Sequence, residues 1–121
     1  VTFTEVRALD RQDSLHGAGA TILFNKAEGS DKAEILSAGD VRVTVNAKVT
    51  THNSRRSSLK DSAVNLTLEI DMKAGKEKDD KRLEKIFYMD QRRSGTVTQR
   101  FNFKHGIDMR VITLVFNVTI E

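Results

Sequence analysis

The sequence predicts an all-β domain, an antiparallel two-sheet sandwich of about seven or eight strands with immunoglobulin-like or jelly-roll architecture. Three observations lead there. Long stretches alternate strictly between apolar and polar residues, the period of a strand with one buried face. The apolar positions are dominated by valine, isoleucine, leucine and phenylalanine, types that pack well on a pleated surface. Proline is absent from all 121 residues, so no strand contains a residue unable to donate to a ladder.

"VTFTEVRAL" opens the chain and switches its apolar face between Phe3 and Val6, which predicts a bulge. "GAGATILF" leads to Ile22 and Phe24, and its glycines suit close backbone approach. "SDKAEILSAG" divides between a helical turn ending at Gly39 and a short strand. "DVRVTVNAKVT" then alternates cleanly, with Val41, Val43, Val45, Ala47 and Val49 inward. "VNLTLEIDM" repeats the pattern with Val64, Leu66, Leu68, Ile70 and Met72. Residues 79–88 are ambiguous. Leu83, Ile86 and Phe87 stand at the spacing of one short helix capped by Asp79 or Asp80, and the same residues also fit a strand. "TVTQRFNF" points Val97, Phe101 and Phe103 inward beside Gln99. "VITLVFNVTIE" closes with Ile112, Leu114, Phe116, Val118 and Ile120.

The string "AEILSAGDVRVTV", residues 33–45, resembles the leucine, glycine and alternating strand of many immunoglobulin-like domains. It covers a tenth of the chain, and the tryptophan and cysteines that mark antibody domains are missing. Neither an internal repeat nor a linker interrupts residues 1–121, which read as a single domain. Opening on Val1 rather than Met, they read as a processed chain or an excerpt.

Composition narrows the function. The chain is 38% hydrophobic and 31% charged, which suits a folded domain and no membrane-spanning helix. Without cysteine there are no disulfides, thiolate metal sites or cysteine nucleophiles, and the balance leans toward a reducing, cytoplasmic compartment. His16, His52 and His105 form no ligand-spaced pair. The sequence nominates no catalytic residue, metal site or cofactor, and a non-catalytic domain is expected.

Arginine carries more information than any other polar residue here. It occurs as two dyads, Arg55-Arg56 in "RRSS" and Arg92-Arg93 in "RRSG". If the elements run up and down in order, the loops at 10–16, 52–61 and 91–94 share one end, and those at 25–39, 74–83 and 104–107 share the other. Arg55, Arg56, Arg92, Arg93, Arg11 and Lys60 would then form an anion-binding end, arginine's planar fork being suited to phosphate or carboxylate. The plainer alternative is a set of solvated loops neutralised by Asp10, Asp13, Asp61 and Asp90. "RRSSL" also resembles a substrate of basophilic kinases with Ser58 as acceptor. Asn65 and Asn117 head glycosylation sequons.

With a net charge of +3 and a pI near 9.3, the expectation is a binding or assembly module, structural or viral among its settings. Its arginine-rich loop end would meet an anionic macromolecule: nucleic acid, a phospholipid surface or an acidic protein. Self-association through a terminal strand is a further expectation. The alternative is an extracellular immunoglobulin-like or fibronectin-like spacer or adhesion domain from a larger chain, secreted or an extracellular fragment. An enzyme is the third option.

Overall fold

A computed structural model describes residues 1–23, 29–52, 63–88, 94–105 and 107–120. Among them run nine strands: β1 (Thr2–Asp10), β2 (Asp13–His16), β3 (Ala20–Thr21), β4 (Gly29–Ala38), β5 (Val41–His52), β6 (Ala63–Ala74), β7 (Glu77–Tyr88), β8 (Ser94–His105) and β9 (Asp108–Thr119). They form two antiparallel sheets. The front sheet has the order β2-β1-β9-β8, with β3 also on β1, and the back sheet has the order β4-β5-β6-β7. The domain is thus an all-β, two-sheet sandwich. Among the described residues no helix is long and apolar enough to cross a membrane.

Alternation builds the core directly. Val41, Val43, Val45, Ala47, Leu66, Leu68, Ile70 and Met72 of the back sheet are buried against Phe3, Phe101, Ile112, Leu114, Phe116 and Val118 of the front sheet. The rings of Phe3 and Phe116 meet edge to face with centroids 5.6 Å apart, a favoured aromatic arrangement.

Residues 77–88 settle as a strand, not a short helix near 79–88. β7 pairs with β6 along its whole length, from Ala74 with Glu77 to Ala63 with Tyr88. A helix would satisfy only its own backbone and leave β6 with an open edge, so the ladder wins over local periodicity. Residues 29–38 likewise form a strand. β2 and β3 are two pieces of one return strand, since both pair with β1, which leaves eight passes across the domain. Apart from β1 on β9, the paired strands follow one another along the chain as a meander. The immunoglobulin-like string at 33–45 forms the β4–β5 hairpin.

Two irregularities join the sheets. The register of β1 on β9 shifts between Thr4 and Arg7, and Glu5 there has a φ of 50°: this is the expected bulge. The register of β4 on β5 shifts between Glu34 and Leu36. Between these bulges, Gly17 donates to the Val6 carbonyl at 2.8 Å and Gly19 donates to the Ile35 carbonyl at 3.1 Å. A Cβ at Gly17 would collide with the Ile35 carbonyl, and one at Gly19 with the Phe3 carbonyl. On the opposite side β7 and β8 lie next to each other, and the Asn102 amide donates to Asp79 Oδ2 at 3.2 Å.

Candidate functional site: a basic face on the front sheet

The strand directions sort the connections into two ends. At the turn end lie the tight β1–β2, β4–β5, β6–β7 and β8–β9 turns, as the pairs Asp10–Asp13, Ala38–Val41, Ala74–Glu77 and His105–Asp108 show. Arg110 fixes the two sheets together there. Its Nη2 donates to Asp10 Oδ2 at 2.6 Å, and its Nη1 donates to Asp40 Oδ2 at 2.7 Å. Hydrogen bonds to Asp40 and then Asp10 raise the guanidinium's pKa above its ordinary value, against a smaller opposing effect of burial. Arg110 is therefore a permanent cation committed to structure.

At the opposite, connector end, His52 pairs with Ala63 and Ala63 with Tyr88. Those residues flank the two segments that bear the arginine dyads. Arg55, Arg56, Ser58, Lys60, Arg92 and Arg93 themselves lie outside the described residues. Arg11 does not join their end. It occupies the β1–β2 turn, exposed, with a φ of 58°. Residues 29–38 are a full crossing and not part of one loop at 25–39. The added pass moves Arg11 to the turn end, and the segment preceding Gly29 attaches at the connector end.

The two sequons fall on strands. Asn65 is half-buried in β6. Asn117 in β9 accepts from Thr96 Oγ1 at 2.9 Å and donates to Glu5 Oε2 at 2.7 Å, so both ends of its amide are engaged within the sheet.

The outer faces of the two sheets differ in charge. On the back sheet, a basic row is followed by an acidic one. Arg42 stands beside Lys73 and Lys73 beside Lys78, and the next row holds Glu34 and Asp71 on either side of Thr44. On the front sheet, Arg7 lies between His16 and Val115, Arg100 beside Thr113, and Lys104 beside Met109. All three cations are exposed. Glu5 is the single acid on this outer face among the described residues, and Asn117 holds it. A shallow groove of about 640 Å³ crosses the face beside Glu5, Arg7, His16, Thr96 and Asn117.

This face is absent from any reading centred on loops. Its signal lies in the outward positions of β1 and β8, which share a face only when β9 is placed between them. Among the described residues no group of three or more histidines, aspartates or glutamates could hold a metal ion. No protein-family model matches the chain, and comparison with curated proteins and with solved structures gives no significant match.

Proposed function

We propose that the domain is a non-catalytic binding module that presents a basic surface to an anionic macromolecular partner. The observation that carries this reading is the asymmetry between the sheets. The front face exposes Arg7, Arg100 and Lys104 against one tethered acid, while the back face sets exposed Glu34, Glu69 and Asp71 among its cations. Like charges held on a rigid sheet with a single acid among them raise the potential over that face and steer anions to it. The dyads Arg55-Arg56 and Arg92-Arg93 extend the proposal to the connector end, where the residues flanking them are register partners.

Retention on heparin with elution by salt tests the reading, since phosphate or sulfate contacts weaken as salt screens them. Arg100→Glu with Lys104→Glu is expected to lower the eluting salt concentration clearly. Arg55→Glu with Arg56→Glu measures the share of the connector end. Retention that neither pair alters would end the proposal.

A further inference from the structure

The turn end of the front face carries more than charge. The exposed large apolar residues among those described are Leu9 at 40%, Leu23 at 80%, Ile107 at 105%, Met109 at 58% and Val111 at 38% exposure. Four of these five are neighbours. Leu9 stands opposite Thr113, one diagonal step from Val111 on the same face. Val111 is followed by Met109 two residues toward the turn, and Ile107 projects from the β8–β9 turn itself. The cations border this strip: Lys104 is the register partner of Met109, Arg100 that of Thr113, and Arg11 sits in the adjoining turn. Asp108 and Asp13 are also exposed at this end, but they alternate with Met109 and Ser14 and so lie on the other side of their strands. Asp10 and Asp40 are occupied by Arg110.

We infer that this strip docks the domain on an anionic phospholipid surface, with Ile107 and Met109 entering the interface and Lys104, Arg100 and Arg11 meeting the headgroups. The inference rests on the binding-module reading and names its partner. A bilayer interface takes up aliphatic side chains just below a layer of negative charge, and this strip places the two features in the same order. A nucleic acid would use the cations but gain nothing from aliphatic tips, and none of the tip residues is an aromatic on which bases could stack. A hairpin turn suits shallow insertion because strand pairing has already satisfied its flanking backbone groups.

Flotation with vesicles of phosphatidylcholine, with and without phosphatidylserine, tests it beside the heparin column. The wild-type chain is expected to float with the anionic vesicles, less so at high salt, and not with the neutral ones. Ile107→Ser with Met109→Ser should lower vesicle binding by roughly tenfold while leaving heparin retention intact, because two exposed aliphatic groups carry the insertion. Arg100→Glu with Lys104→Glu should lower both. Circular dichroism melts would confirm that each variant remains folded. Anionic-vesicle binding equal to wild type in the serine pair would overturn the inference, as would heparin retention without vesicle binding. In that second case the module reading would stand, and an oligonucleotide that binds would replace the bilayer as partner. Absence of both vesicle binding and heparin retention would remove the reading and the inference together.

Discussion

Arg110 in β9 grips Asp10 at the end of β1 through bonds of 2.6 Å from Nη2 and 3.2 Å from Nε to the same carboxylate oxygen. The aspartate is nearly buried, with 9% exposure, so the guanidinium stands where water would otherwise hydrogen-bond its carboxylate. The same guanidinium reaches Asp40 of the back sheet, which makes one side chain the fastener between two sheets and three chain segments.

Arg110→Met should therefore destabilise the fold by about 2 kcal/mol, below the range for a fully buried pair because water reaches part of this one. Asp40→Ala, at a more exposed partner, should cost less than about 1 kcal/mol. Urea unfolding of the two variants checks the order. The pH dependence has a defined sign. A raised guanidinium pKa gives stability that is complete below the unfolded-state value and is lost only as pH climbs through the folded one. The difference between wild type and Arg110→Met should thus stay level from about pH 7 to about pH 11.

Gly19 and Gly39 both have positive φ, at 72° and 59°, yet only Gly19 faces a carbonyl where its Cβ would stand. Gly39→Ala should cost about 1 kcal/mol, the left-handed penalty alone. Gly19→Ala should cost about 3 kcal/mol, because the clash with Phe3 adds to that penalty. Thermal melts of the two variants give the comparison, and equal losses would show that the seam between β1 and β4 yields easily.

Arg11 occupies the first position of a two-residue turn with a φ of 58°, where the equivalent turns at 39–40 and 75–76 use glycine. Arg11→Gly should relieve the left-handed backbone and, after the entropy of the unfolded chain is counted, stabilise the domain by about 0.5 kcal/mol. Chemical denaturation would register the gain. A loss instead would mean that the arginine side chain holds the turn more firmly than its backbone strains it.

Much of the fold is legible in single residues. Val41 to Val49 and Ile112 to Ile120 alternate so strictly that only one face can be buried, and that face is buried. The break between Phe3 and Val6 marks its bulge in the same way. Residues 29–38 and 77–88 are less legible because their own apolar residues fit helix and strand alike. What decides them is the open ladder of β5 on one side and β6 on the other, a partner that no local window contains.

The candidate site divides along the same line. The arginine dyads are conspicuous because they are adjacent in sequence, and Arg7, Arg100 and Lys104 are inconspicuous because nearly a hundred positions separate the first from the others. Sequence alone determined the cleanly alternating strands β5, β6, β8 and β9, their inward faces and the β-rich class, since period-two burial is a property of each segment by itself. Tertiary structure alone decided which end receives Arg11, how Gly17 and Gly19 close the seam, and which outward cations share a face. Those outcomes depend on register between distant strands, and register is fixed by burying both sheets' apolar faces at once.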